Sequence, residues 1–150
     1  MYLMSSQENG QVPVFIKFTV YAEPVAQGRP KFTTRGGFPR AYDPEKSANY
    51  KEIVRAEALK VRPEKPLVGP ISLVVLIYRS IPKSFSQKRT VQAQEGYIRP
   101  ITRPDIDNIV KGVKDSLKGV IWKDDSQVIT LTAKKYYSDV PRIEVAIGEF

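Results

Sequence analysis

The sequence predicts an α/β (α+β) fold, a single domain with a mixed β-sheet flanked by helices. Three observations carry that expectation. Short β-branched and aromatic runs recur at residues 14–21, 71–78, 128–133 and 142–147. Between them lie segments whose apolar residues repeat every three to four positions, the period of a helix with one face on a core. Strands and helices therefore alternate, with no internal repeat or low-complexity stretch, in a chain of 150 residues that is 41% hydrophobic and so fits one ordinary domain.

Residues 1–12 have neither a basic start nor an apolar run, so neither a signal peptide nor a membrane span is expected there, and the segment is read as frayed ahead of a domain at 13–150. Residues 14–21 follow, with Lys17 and Thr19 alternating outward as in a half-buried strand. From 22 to 41 glycine, proline and basic residues accumulate, which argues against an element interior. Arg29, Lys31 and Arg35 in this stretch are candidate DNA-phosphate contacts, against the plainer reading of a solvated loop.

Asp43 and Pro44 signal a helix start as N-cap and first helical residue. Tyr50, Ile53, Val54, Ala58 and Val61 supply its stripe, Pro63 and Pro66 end it, and it is read as scaffold. The nearly continuous apolar run at 71–78 predicts a central strand buried on both faces. Residues 82–93 suggest a short basic helix ending near Gly96. Its Lys83, Lys88 and Arg89, with Arg99 and Arg103 after it, are either a solvated face or a cationic approach for a phosphodiester.

Ile106, Ile109, Val110, Val113 and Leu117 fall within about 100° of one another on a 3.6-residue helix, so 106–117 is an amphipathic helix ended by Gly119. Lys111 stands four residues after Asp107 and shares its side, while Asp105, two residues away, points elsewhere if helical. Pro104 pushes Asp105 into extended backbone ahead of the helix, where an N-cap carboxylate also meets the favourable end of the helix dipole. Asp124 and Asp125 come just before the strand at 128, close enough in sequence for a helix-turn-strand return to the same helix. Capping for the first pair and a simple turn for the second are the plain alternatives; Asp115 is expected to pair with Lys111 or Lys118.

The charge balance sharpens the choice. The chain carries 24 Lys+Arg against 16 Asp+Glu, a net +8, which favours a polyanionic partner such as nucleic acid. Four aspartates gathered within that background need a neutralising partner, because two carboxylates about 4 Å apart at an effective dielectric of about 20 repel by roughly 4 kcal/mol. That is a large share of a domain's stability of about 5–15 kcal/mol. Histidine and cysteine are both absent, which removes the nitrogen and sulfur ligands of zinc, copper and iron sites, excludes a disulfide scaffold and a thiol nucleophile, and suits a reducing cytoplasm. A hard cation such as Mg²⁺, held by one or two carboxylates with phosphate oxygens, fits the remaining ligands.

At this point the order of residues resembles a known signature. Pro104-Asp105-Ile106-Asp107-Asn108 with Lys111, Asp115 and Leu117, then Asp124-Asp125-Ser126-Gln127-Val128, is similar to the motifs of the RusA family of Holliday junction resolvases. The dense match covers about a sixth of the chain, and a looser order of elements extends it over most of the rest. The resemblance implies a small homodimeric, Mg²⁺-dependent endonuclease, with Mn²⁺ as a substitute, that binds branched DNA and cuts four-way junctions symmetrically. It implies Asp105, Asp107 and Asp125 as metal-binding carboxylates, Lys111 as the basic residue at the scissile phosphate, and Asp124 as a neighbouring ligand or support. Some members carry a basic residue directly before the first aspartate; here it is Pro104, with Arg103 one place earlier. Two other classes stay open: a basic module that binds branched or single-stranded DNA without cutting it, and a structural protein stapled by a divalent ion.

Overall fold

The structure, a computed structural model, describes residues 14–28, 31–34, 36–37, 40–42 and 45–150. Its centre is a four-stranded sheet in the order β1-β6-β4-β5, formed by β1 (Val14–Val20), β4 (Ile71–Ser80), β5 (Val128–Ser138) and β6 (Arg142–Glu149). β1 and β4 both pair antiparallel with β6, and β4 pairs parallel with β5, so the sheet is mixed, as the alternation of elements predicts. A parallel pair needs a long crossover. Here the crossover carries α2 (Gln87–Gln94) and α3 (Ile106–Leu117), and with them the acidic motif.

β4 is interior to the sheet, but its burial differs from the expectation. Ile71, Leu73, Val75 and Ile77 are fully buried, whereas the alternate residues Ser72, Val74, Leu76 and Tyr78 are only half-buried. The physical reason is one-sided cover. α1 (Glu45–Val61) and α3 (Ile106–Leu117) join a single core with the inward residues Ile16, Phe18 and Val20 of β1 and Ile143, Val145 and Ile147 of β6. The same geometry narrows the stripe on α1: Tyr50, Val54 and Ala58 are buried at i, i+4 and i+8, while Ile53 and Val61 stay exposed.

Two more elements depart from the sequence reading. The glycine- and proline-rich stretch contains a small antiparallel hairpin, β2 (Lys31–Thr33) with β3 (Arg40–Tyr42). Gly36 and Gly37, both at φ +85°, form part of its connection in a conformation that glycine alone adopts without strain. Residues 1–12, Arg29, Arg35, Asp43 and Pro44 lie outside the described residues. The basic helix α2 spans Gln87–Gln94, starting later than expected because Ser86 is its N-cap and accepts a hydrogen bond from the Arg89 amide at 3.2 Å. β5 runs on through Lys134, Lys135, Tyr136 and Tyr137, each in register with β4.

One-sided cover predicts unequal core costs. Leu73→Ala should lose about 2–5 kcal/mol in urea unfolding, as a buried large-to-small change does, and Leu76→Ala distinctly less. Equal losses would show that both faces of the sheet are packed alike.

Candidate active site

The site is built on the two ends of α3 and the chain that returns from it. The helix buries Ile109, Val110, Val113 and Leu117, which leaves Asp107 and Lys111 exposed on its flank. Its pose is fixed by the segment before β2: the Gln27 amide donates to the Asn108 carbonyl at 3.0 Å, and a Cβ at Gly112 would meet the Gln27 backbone nitrogen at 3.7 Å. Asp105 is the N-cap in extended backbone, φ −74° and ψ 148°, as Pro104 before it predicts. Its carboxylate makes no capping hydrogen bond and remains exposed, so side-chain capping does not explain this aspartate.

At the other end the helix stops and the chain doubles back. Gly119, at φ +81°, takes the left-handed turn, and its amide donates to the Trp122 carbonyl at 2.7 Å. Leu67 holds the returning strand from both sides: its amide donates to the Ile121 carbonyl at 2.8 Å, and its carbonyl accepts from the Lys123 amide at 3.1 Å. Trp122 is fully buried, and its indole N–H donates to Asp125 Oδ1 at 2.8 Å. That bond ties a core residue to a site carboxylate. The sequence gives Trp122 no such role, although a buried indole N–H requires some acceptor.

Asp124 has different work. It caps the short 3-10 turn Asp125–Gln127, accepting on Oδ2 from the Ser126 amide at 3.0 Å and from the Ser126 hydroxyl, while Lys118 Nζ lies 3.4 Å from Oδ1. Gln127 completes the cap by accepting from the Asp124 amide at 2.7 Å and ties the turn to the Leu67 and Gly69 carbonyls. The Ser126 hydroxyl, the Ser126 amide and Lys118 together hold the Asp124 carboxyl below the usual carboxylate range.

These elements bring Asp107, Lys111 and Asp125 onto one groove of about 460 Å³, which Lys114, Asp115 and Leu131 also line. Asp115 pairs with Lys51 of α1 at 3.8 Å instead of with Lys111 or Lys118, because α1 packs across that flank of α3. Asp105 opens onto a second groove, of about 880 Å³, on the other side of the first turn. Among the described residues no three acidic side chains are grouped so as to hold a metal ion by themselves. Two carboxylates on one groove nonetheless suit a hard cation that keeps several waters and takes phosphate oxygens as further ligands.

A cationic brace surrounds the approach to α3, and only part of it is evident in the sequence. Lys135 donates to the carbonyls of Thr102 and Pro104 at 2.8 and 2.9 Å. Its ammonium is pushed down from the usual lysine range by partial burial and by Arg79, against the opposing pull of Asp105. Arg79 bonds the carbonyls of Pro24 and Arg103 and pairs with Glu23 at 3.0 Å. Arg99 donates to the Lys135 carbonyl at 2.7 Å and lies over the Tyr136 ring at 3.8 Å. The signal for Lys135 was its phase: it pairs with Ile77, whose side chain is buried, so an alternating strand puts a lysine on the core-facing side.

The other basic candidates among the described residues lie on several elements. Lys83 and Lys88 are exposed, and Arg89 stacks over Phe85 at 4.0 Å, which in turn packs edge-on against Tyr137. Arg103 is exposed and lines the second groove, and Lys31 begins β2.

Residues 22–148 match the family described as "Endodeoxyribonuclease RusA". The chain is 52% identical over 136 residues to "Uncharacterized protein YqaN" of Bacillus subtilis (strain 168), an alignment covering 89% of this chain and 96% of that protein. It is 31% identical over 111 residues to "Crossover junction endodeoxyribonuclease rusA" of Lactococcus phage r1t, covering 72% of this chain and 76% of that protein.

Two stability measurements test this construction. Asp125→Ala leaves the Trp122 N–H unpaired in the interior and should cost about 1–3 kcal/mol in urea unfolding, whereas Asp125→Asn keeps an acceptor and should lose less. Equal losses would dismiss that bond as the anchor. For Asp124, a folded-state pKa below the unfolded one adds stability that is present above the unfolded value and lost as pH falls through the folded value. The melting temperature of Asp124→Asn should therefore trail the unmodified protein at neutral pH and converge with it in strong acid.

Proposed function

The chain belongs to the RusA family of endodeoxyribonucleases, and from that premise we propose that it resolves four-way (Holliday) DNA junctions by Mg²⁺-dependent phosphodiester hydrolysis. The observation that supports this reading best is the shared groove of Asp107, Lys111 and Asp125 beside an N-cap aspartate that makes no capping bond. In this reading Asp107 and Asp125 hold the cation from their shared groove, with Asp105, which opens onto the neighbouring groove, as the third proposed carboxylate, and Mn²⁺ is a substitute for Mg²⁺. When bound, such an ion supplies Lewis acidity toward the phosphoryl oxygens and lowers the pKa of water.

The chain's own residues supply the rest. Asp125 is aimed by Trp122 and by the turn that Asp124 caps, so Asp124 acts as a support for its neighbour. Lys111 adds a positive charge on the groove where charge grows on the phosphoryl group. With no histidine in the chain, a carboxylate or the solvent must accept the proton from the attacking water. Arg29, Lys31, Arg35, Lys83, Lys88, Arg89 and Arg103 are the proposed contacts to the junction's phosphates. Two symmetric cuts need two sites related by a two-fold axis, so the active form is a homodimer in DNA recombination and repair. The named relatives come from a bacterium and a phage, and the proposed place of action is the bacterial cytoplasm; among the described residues no helix is long and apolar enough to cross a membrane.

A second reading, a basic module that binds branched DNA without cutting it, draws on the placement of Asp105 apart from Asp107 and Asp125. One assay separates them. A synthetic four-way junction should be nicked in both of two opposed strands with Mg²⁺ and left intact in EDTA. Asp107→Asn should cut at least about 100-fold more slowly while still binding the junction. Unimpaired cutting by that variant would reject the assignment, and binding without any metal-dependent product would favour the module.

A further inference from the structure

The two grooves that flank the first turn of α3 have opposite electrostatic character. The one holding Asp107 also carries Asp115 and Asp125, three carboxylates against Lys111 and Lys114. The larger one carries Lys46, Arg79 and Arg103 against the single carboxylate of Asp105, with the amide side chains of Gln27 and Asn108 beside them. A polyanionic strand laid along the first groove meets three carboxylates, which only Lys111, Lys114 and a bound cation together offset. Laid along the second, it meets cations and hydrogen-bonding amides.

Lys46 is the unexpected member. It stands in the first turn of α1, which the sequence presents as scaffold, and it is exposed. It reaches this groove because α1 packs against α3, with Lys51 of α1 paired to Asp115 of α3 at 3.8 Å, and Lys46 lines the groove together with Asp105 and Asn108 at the start of α3. Arg79 is already engaged by Glu23 and two carbonyls, so it supplies field more than contact. Among the described residues neither Lys46 nor Arg103 has an ion-pair partner, and both project from exposed positions.

We propose that the groove between residues 24–27 and the start of α3 is a subsite for the phosphodiester backbone adjoining the bond that is cut, and that Lys46 and Arg103 are its contacts. The strand then crosses the first turn of α3 from the Lys46 side to the Asp107 side. This rests on the endonuclease reading for the identity of the strand.

The test uses the full chain and a four-way junction in EDTA, with binding followed by fluorescence anisotropy across a KCl series. Lys46→Ala should weaken binding several-fold and flatten the slope of log K against log[KCl] by about 0.7–0.9, the contribution of one phosphate contact. Lys46→Glu should weaken it further, and Lys46→Arg should restore it. Lys60→Ala, on the same helix but paired with Glu57 at 3.0 Å and far from the groove, should match the unmodified protein in binding and cutting. Unchanged affinity and slope in both Lys46→Ala and Lys46→Glu, with melting temperatures intact, overturn the subsite. So does a loss confined to the rate of cutting. Failure of the endonuclease reading looks different: the unmodified protein then binds the junction and gives no product with Mg²⁺, whatever happens at Lys46.

Discussion

The hydrogen bond from the Trp122 indole to Asp125 is where the core and the site are joined. Trp122 is held by the packing of the whole domain, so an acidic side chain near a strand entry inherits the rigidity of the interior. Everything around it is arranged to permit that one donor and acceptor to meet. Gly119 turns the chain, Leu67 brackets the return, and Asp124 with Gln127 shapes the short turn that presents Asp125 to the flank of α3. A site assembled only from surface loops would lack this registration between the helix and the returning strand.

The start of α3 shows how the chain accommodates exposed negative charge. Asp105 and Asp107 sit at the favourable end of the helix dipole. Lys135 and Arg79 approach the same end from the sheet and hold the preceding segment by its carbonyls. The cations there organise backbone, which explains why they come from core-facing or half-buried strand positions while Lys88 and Arg89 of α2 are exposed. Position and charge are set by different elements, the first by α3 packing and the second by β4 and β5.

Much of this arrangement was legible in the sequence. The mixed sheet, the amphipathic α3 and the extended Asp105 ahead of it follow from periodicity and from Pro104, because these are local rules that tertiary structure here leaves intact. What was not legible depends on partners far away in the chain. The half-buried face of β4 reflects helices packing on one side only, the partner of Asp115 is on α1, and the roles of Lys135, Arg79 and Lys46 exist only after strands and helices are placed. The hairpin of β2 and β3 was hidden by its brevity, since three-residue strands carry too few alternations to outweigh the surrounding glycine and proline. For the acidic motif, sequence spacing correctly implied that Asp107 and Lys111 share a side, but spacing carries no information on which groove Asp105 faces.

The pairing of β1 with β6 gives assembly of this domain a fixed order in time. Among the described residues the first strand has its only sheet neighbour in the last, Val14 opposite Glu149. During synthesis an aromatic, β-prone segment therefore leaves the ribosome long before its mate exists, and the core-facing Ile16, Phe18 and Val20 wait without cover. Closure of the sheet is consequently a late, long-range event, and the same topology that shelters these residues in the finished protein exposes the nascent chain to self-association or to capture by a chaperone.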